Sequence, residues 1–194
     1  MDEPTQEPRR RPRGCLIEVL ETVILTVVIF FGVQTFVAQP YEVNLHSMDD
    51  TLLPGHYVLV DKLTPRWAPY ERGDIVVFQP PGTSPGEAVV PFIKRVIGLP
   101  GETVELRNGK VYVNDIELEE PYIFQENGVP QPTDPSGETE WVIPDGRLFV
   151  MGDHRGSSSD SRSFGPIEIS SMIGRAWLRY WPFDRFGPLP TPSY

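Results

Sequence analysis

The feature that most limits how this chain can fold is an apolar segment near its N-terminus, residues 16–38. From residue 22 to residue 38 it contains no charged side chain. A helix rises 1.5 Å per residue, so about 20 apolar residues cross the hydrocarbon core of a bilayer. We therefore predict a transmembrane helix at 16–38, preceded by a short tail at 1–15.

Two other interpretations of this segment remain open. Val37-Ala38 before Gln39 loosely resembles the cleavage site of a secretory signal peptide, although the segment is long for that role and Val37 is bulky. A buried core helix is the second alternative, and it is disfavoured because the segment is apolar on all faces.

Basic residues cluster just before the apolar segment, at Arg9, Arg10, Arg11 and Arg13. Positive charge is enriched on the cytoplasmic side of membrane helices. We therefore predict a single-pass protein of the plasma membrane, with a cytoplasmic N-terminus and residues 39–187 outside the cell.

Composition excludes several classes of function. A net charge of −10, without a basic stripe, argues against nucleic-acid binding. Cys15 is the single cysteine, so no intramolecular disulfide can form. His46, His56 and His154 are far apart in sequence, and no cluster has metal-ligand spacing. We predict no metal site and no cofactor.

After residue 39 the pattern changes to short apolar or β-branched runs separated by turns. The 22 prolines and 17 glycines suit such turns and argue against a helical bundle. Asn108-Gly109 is the strongest hairpin signal, because both turn positions need a positive φ. We predict a mainly β domain at 39–187, a C-terminal tail at 188–194, and loops at 79–86, 125–140 and 152–162. The predicted strands are 57–60, 75–78, 92–97, 103–106, 110–113, 116–118, 147–151 and 174–180.

Ser47 is a candidate nucleophile, and it needs a base because a free serine hydroxyl reacts slowly. His46 is adjacent, but neighbouring side chains of an extended segment point to opposite faces, so it should aim away from Ser47. His56 and His154 remain possible bases, and His154 is the better of the two because it lies in a polar loop.

Lys94 is the more informative candidate for the base. On a strand it shares one face with Phe92 and Val96, so its amine has apolar neighbours. Burial disfavours the charged amine, lowers its pKa and leaves a form able to accept a proton. The alternative is a lysine that extends to the surface from an edge strand.

The run 152–162 combines glycine, serine and aspartate, which is also typical of a solvated turn. Asp160 and Arg162 are two residues apart, so an extended chain would place them on one face as an ion pair. Ser158 shares that alternation, and its hydroxyl could orient a lysine amine.

Four blocks, at 47–52, 72–78, 92–101 and 152–162, follow the apolar segment in order. Together they make the chain resemble the type I signal peptidase family, and the likeness runs from about residue 34 to residue 182. The segment 174–176 followed by Trp181-Pro182 is similar to the family's closing segment. The Lys94-Arg95 pair and the spacing of the last block make this resemblance specific.

The resemblance implies a β-rich fold with a serine/lysine dyad and no cofactor. On the matching positions, Ser47 is the nucleophile and Lys94 the general base. Ser158 is implied to hold the lysine amine, and Asp160 and Arg162 to form a supporting ion pair.

The resemblance also implies a substrate and a location. Met48 and Leu52 match positions that line small-residue pockets. The family cuts signal peptides from secreted preproteins, which carry small side chains one and three residues before the cut. Cleavage takes place at the outer surface of the membrane, so the expected partners are preprotein signal peptides, the lipid bilayer and the secretion translocase.

The chain departs from the family pattern just before Ser47. Asn44-Leu45-His46 replaces the usual Pro-Ser-Gly or Pro-Thr-Gly, and Asp50 replaces a proline. In some members the hydroxyl two residues before the nucleophile binds the oxyanion, and Leu45 cannot do this. Losing one such donor raises the barrier by roughly 3–4 kcal/mol.

Two further functions are therefore weighed. A self-cleaving serine/lysine protease of the SOS-repressor type would share the dyad, but it should carry an N-terminal DNA-binding helix pair where this chain has its apolar segment. A catalytically weak or inactive paralogue, acting as a membrane-tethered peptide-binding module, is favoured only by the altered segment 44–46.

Overall fold

The computed structural model describes residues 15–83, 89–135, 137–192 and 194. The chain divides into two compact units, Met1–Phe36 and Val37–Tyr194. The described part of the first unit is one helix, α1 (Cys15–Phe36), and its large apolar side chains between Ile17 and Phe31 are exposed.

Within the described ranges, no helix is long and apolar enough to cross a membrane. The transmembrane helix predicted at 16–38 is thus not confirmed. The arginines at 9–13, on which the predicted orientation depends, lie outside the described residues.

The second unit is built almost entirely from antiparallel strands, which confirms the mainly β prediction. Its one described α-helix is a single turn, α2 (Ser161–Phe164). The described strands are β1 (Ala38–Glu42), β2 (Tyr57–Asp61), β3 (Ile75–Phe78), β4 (Phe92–Gly98), β5 (Thr103–Arg107), β6 (Lys110–Val113), β7 (Ile116–Glu117), β8 (Gln125–Glu126), β9 (Val129–Pro130), β10 (Glu140–Val142), β11 (Arg147–Met151), β12 (Ile167–Glu168), β13 (Met172–Trp181) and β14 (Gly187–Pro188).

The strands form one large sheet and two smaller ones. The large sheet has the order β1-β2-β13-β3-β4-β11-β12, and β14 pairs with β13 beside this path. A second sheet has the order β10-β5-β6-β7, and β8 pairs with β9. The strand β4 is therefore central, with β3 on one side and β11 on the other.

Several predicted elements need correction. Asn108 and Gly109 both have positive φ and join β5 to β6, as predicted. The predicted loop at 125–140, however, contains the hairpin β8-β9 and the start of β10, because short exposed strands carry little apolar signal. The predicted loop at 152–162 contains a 3-10 turn, Arg155–Ser157, and the first residues of α2.

The C-terminal segment packs on the domain, although the sequence predicts only a tail at 188–194. Leu189 is buried in the core cluster that contains Met48, and the carbonyl of Pro190 accepts a hydrogen bond from Arg95. Tyr194 Oη donates to Tyr122 Oη at 3.0 Å. These contacts depend on residues distant in sequence, so the local pattern could not indicate them.

Strand register explains how the candidate site comes together. Lys94 pairs with Val76 of β3, and Arg95 pairs with Met151 of β11. Because β11 ends at Met151, the chain that follows it begins next to the middle of β4. The segment 152–162 is thus delivered to the strand that carries Lys94.

Candidate active site

Ser47 lies in a 3-10 turn, His46–Met48, and its side chain is buried. The extended conformation predicted for this segment is wrong. His46 still turns away from the serine hydroxyl, but for a different reason: its Nδ1 is 2.9 Å from Asp49 Oδ2. A turn with its own side-chain partner, and not strand alternation, therefore orients His46.

Lys94 approaches Ser47 closely. Its Nζ is 2.6 Å from Ser47 Oγ and 3.1 Å from the carbonyl oxygen of Ile93. Only 2% of the lysine is exposed, so it does not extend to the surface. Burial lowers the pKa of Lys94 to about 8, although the charges of Asp160 and Asp153 act to raise it. The structure thus brings a hydroxyl into hydrogen-bond contact with an amine that loses its proton near pH 8.

Ser158 is close to this pair without bonding to the lysine. Its Oγ is buried and has no hydrogen-bond partner of good geometry in the described part of the chain. The hydroxyl nevertheless lies near the carboxylate of Asp160 and helps to lower its pKa. The predicted contact between Ser158 and the Lys94 amine is not formed in this structure, and the role of Ser158 stays a prediction.

Asp160 and Arg162 form a two-point ion pair, with Nε 2.9 Å from Oδ1 and Nη2 2.9 Å from Oδ2. The pair forms as the sequence predicts, but not through an extended chain: Asp160 is the N-cap of α2, and Arg162 lies inside that helix. Burial acts to raise the pKa of Asp160, and the bonds and charge of Arg162 outweigh it, so that pKa is lowered.

Gly152 is a site residue to which the sequence analysis assigns no role. A Cβ at this position would lie 2.3 Å from Ser158 Oγ and 2.4 Å from the carbonyl oxygen of Ser47. Its own N–H donates to Asp160 Oδ2 at 3.0 Å. The close approach of three segments leaves no room for a side chain, and a single sequence carries no signal of it beyond a glycine that follows a strand.

Arg95 and Asp153 form a second, deeper ion pair that the sequence analysis also misses. Both side chains are completely buried, and the guanidinium binds both carboxylate oxygens, at 2.9 and 2.7 Å. Arg95 also donates to the carbonyls of Gly73 and Pro190, and Thr51 donates to Asp153 Oδ2 at 2.6 Å. The only sequence signal is the adjacency of Arg95 to Lys94, which puts it on the opposite face of β4.

Arg155 is, with Arg162, one of two buried cations in the segment 152–162. It pairs with Glu120, and its Nε donates to the carbonyl oxygen of Gly152 at 3.0 Å. The Glu120 carboxylate outweighs the cost of burial and raises the pKa of Arg155. Arg155 thus ties the glycine beside Ser47 to a different part of the fold.

Met48 and Leu52 are fully buried in a core cluster with residues of β2 and β3. Neither lines the cleft beside the candidate dyad. Their predicted contact with substrate therefore stays a prediction, and the observed role of both is packing beneath the Ser47 turn.

A cleft opens beside Ser47 and Lys94. It is lined by residues of two segments, 41–45 and 90–94, together with Val58 and Val77. Leu45, at 51% exposure, presents an apolar side chain to this cleft. Among the described residues, no group of three or more histidine, cysteine or acidic side chains could hold a metal ion.

Comparisons with known proteins agree on one family. The sequence model described as signal peptidase, peptidase S26, matches residues 16–181. A signal peptidase I of Leptolyngbya laminosa is 40% identical over 200 residues, covering 98% of this chain and 94% of that protein. A probable signal peptidase I-1 of Synechocystis sp. is 38% identical over 193 residues, covering 96% and 93% respectively.

A more distant sequence relative gives the same result. Signal peptidase IB of Staphylococcus aureus is 34% identical over 186 residues, covering 88% of this chain and 92% of that protein. A crystal structure of a signal peptidase I from Enterococcus faecalis V583 is 32% identical with a TM-score of 0.42, covering 56% of this chain and 97% of that one. The family match and the three sequence relatives extend over most of the chain, and the protein belongs to the signal peptidase family, peptidase S26.

Proposed function

We propose that this protein is a membrane-anchored serine endopeptidase that removes signal peptides from secreted preproteins, with Ser47 as nucleophile and Lys94 as general base. One observation carries the proposal. The hydroxyl of Ser47 is 2.6 Å from the amine of a buried lysine whose pKa is lowered to about 8. An amine with that pKa is neutral often enough near neutral pH to take the serine proton.

The chemistry follows from this contact. Neutral Lys94 accepts the proton of Ser47 Oγ as the oxygen bonds to the carbonyl carbon of the scissile peptide. The ammonium then returns that proton to the leaving amine, and an ester to Ser47 remains. In the second half Lys94 takes a proton from a water molecule as its oxygen attacks the ester carbonyl carbon. The ammonium then gives that proton to Ser47 Oγ as the ester bond breaks, which releases the signal peptide as an acid and restores the serine.

The cleft supports an extended substrate. Its two lining segments, 41–45 and 90–94, lie next to the dyad, and an extended peptide can bond to such backbone segments through its main chain. Val58, Val77 and Ile93 leave little depth for a side chain, which favours small residues close to the cut.

This site offers few hydrogen-bond donors to stabilise the oxyanion. Ser47 N–H is the donor that the turn offers, and Leu45 has no hydroxyl to supply a second one. With one donor missing, a barrier higher by roughly 3–4 kcal/mol is expected. The absence of a hydroxyl at Leu45 also favours the second candidate, a catalytically weak peptide-binding module.

Membrane attachment and topology are part of the same proposal. Its support is the exposed apolar surface of α1 between Ile17 and Phe31, together with the uncharged sequence 22–38. The protein should stay with membranes during alkaline extraction. External protease should digest a tag at Tyr194 on intact cells and spare one at Met1, whereas the reverse pattern would overturn the orientation.

The decisive experiment compares the wild type with Ser47→Ala in detergent, using a preprotein substrate. Cleavage by the wild type alone, at a site preceded by small residues, is the expected outcome. Cleavage by both proteins would assign the nucleophile elsewhere, and cleavage by neither would favour the peptide-binding module.

A further inference from the structure

The turn that carries Ser47 is held by His154, a residue outside the dyad. The backbone N–H of His154 donates to the carbonyl oxygen of Ser47 at 3.1 Å. Its ring Nδ1 is 3.1 Å from the carbonyl oxygen of His46. One residue therefore contacts the peptide carbonyl on each side of the candidate nucleophile.

The neighbours of the ring determine where its proton lies. His154 Nδ1 faces the carbonyl oxygen of His46 and, at 3.4 Å, Oδ2 of Asp49. A carbonyl oxygen can only accept a hydrogen bond, so Nδ1 must carry the proton and donate. The contact therefore requires a proton on Nδ1, and both acceptors belong to the Ser47 turn or to its C-cap.

Other contacts keep the ring in place. His154 stacks on Phe124, with ring centres 4.1 Å apart and planes inclined by 25°. The N–H of Phe124 donates to the carbonyl oxygen of Asp153, the residue before His154. The side chain is only 15% exposed, so it cannot rotate without losing this packing.

The contact with the His46 carbonyl has a consequence for Ser47. A peptide unit is planar and trans, so its C=O and its N–H point in opposite directions. The His46 carbonyl and the Ser47 N–H belong to the same peptide unit. The His46 carbonyl also accepts from the Asp49 N–H within the turn, at 3.2 Å, so this bond and the His154 ring together set the direction of the Ser47 N–H. That N–H is the remaining oxyanion donor of the turn, because Leu45 offers none.

We propose that His154 is a positioning residue that orients the Ser47 N–H toward the oxyanion by clamping the His46 carbonyl. The inference rests on the proposed function, since it concerns a site in which Ser47 attacks. On sequence alone His154 remains a possible general base, whereas the geometry points to a donor whose proton stays on Nδ1.

The test compares three substitutions at this position. His154→Ala and His154→Leu remove the donor, and Leu keeps an apolar side chain against Phe124. His154→Asn keeps an N–H donor near the position of Nδ1 and cannot act as a base. Each variant is assayed in detergent on a preprotein, beside Ser159→Ala as a control in the same loop and Ser47→Ala as the inactive reference.

We expect kcat to fall about tenfold or more in the Ala and Leu variants, with KM within about twofold of wild type, and to recover to within about threefold in the Asn variant. An Asn variant as slow as the Leu variant would overturn the proposal. If the Ala variant fails to fold, the Asn and Leu variants decide the comparison.

A second measurement does not depend on activity. Nitrogen-15 NMR of the histidine rings in full-length Ser47→Ala protein should show His154 as the Nδ1–H form. An Nε2–H form would overturn the clamp even if the wild type is an active peptidase. Failure of the wild type to cleave, with the Nδ1–H form present, would instead count against the proposed function.

Discussion

Each face of β4 buries one cation, and the surrounding residues shift the two pKa values in opposite directions. Lys94 is 2% exposed and contacts a neutral hydroxyl, and burial lowers its pKa to about 8. Arg95, the next residue, is 0% exposed and binds both oxygens of Asp153, which raises its pKa despite burial. Adjacent residues of one strand thus carry a titratable amine and a permanent charge.

The difference shows how burial can serve either chemistry or stability. A buried amine without a carboxylate in contact is destabilised as a cation, so it becomes a base. A buried guanidinium cannot lose its proton, so it is tolerated only with a partner and with its other N–H groups satisfied. Arg95 has such a partner in Asp153, and its other N–H groups bond to three further segments of the fold. Lys94 has no carboxylate in contact among the described residues.

The largest effect should come from the lysine face. We expect Lys94→Met to lower cleavage about 10³–10⁴-fold, because the serine loses its base. The midpoint of urea unfolding in detergent should stay the same or rise, because a desolvated amine is removed. Lys94→Arg, which keeps the charge, should be equally inactive. Near wild-type turnover in either variant would show that Lys94 is not the base, and the two faces of β4 would then not differ in function.

The arginine face should respond in stability first. Arg95→Met leaves Asp153 as a buried carboxylate without its partner, and we expect a loss of about 3–5 kcal/mol in the free energy of unfolding. Urea titration measures this loss. Replacing Asp153 by Leu in the same protein should recover part of it, and a double variant less stable than the single one would contradict the pairing argument.

Gly152 tests whether the segment after β11 must approach the Ser47 turn closely. A Cβ there would meet the Ser47 carbonyl at 2.4 Å, so Gly152→Ala must displace the nucleophile, and we expect kcat to fall about 100-fold. Gly156→Ala is the matched control in the same loop, because its Cβ would meet only the flexible side chain of Gln131, at 3.2 Å. Equal rates in both variants would show that the close approach does not matter.

The smallest effect is the response to pH. Lys94 acts as a base only when neutral, so kcat/KM should rise through pH 8, by about tenfold between pH 7 and pH 9. Arg95 stays protonated throughout this range, since its pKa is raised. The rise is therefore attributed to Lys94 alone. The control variant Ser159→Ala should show the same rise as the wild type, and a flat profile would mean that another group supplies the base.

The sequence predicts the strands of the domain better than the loops that complete the site. The apolar neighbours of Lys94 on its strand made burial one of two open interpretations. The pairing of Asp160 with Arg162 could be predicted because the two residues are close in sequence. The Ser47 turn, the lack of a hydrogen bond between Ser158 and the lysine, and the packing of Leu189 could not be predicted. Each depends on which distant segment lies beside it, and local pattern carries no such information.

The sequence by itself determined the order of the functional elements along the chain: an apolar helix, then a serine, then a lysine in a strand, and then a polar loop that follows a later strand. It did so because strand and turn signals are local and the motif spacing is specific. Only the tertiary structure decided which groups meet. The register of β3, β4 and β11 brings Lys94 to Ser47, leaves no side chain at residue 152, pairs Arg95 with Asp153 and puts His154 on the turn. Those contacts join residues roughly 50 to 100 positions apart, and only the packing of the whole sheet selects them.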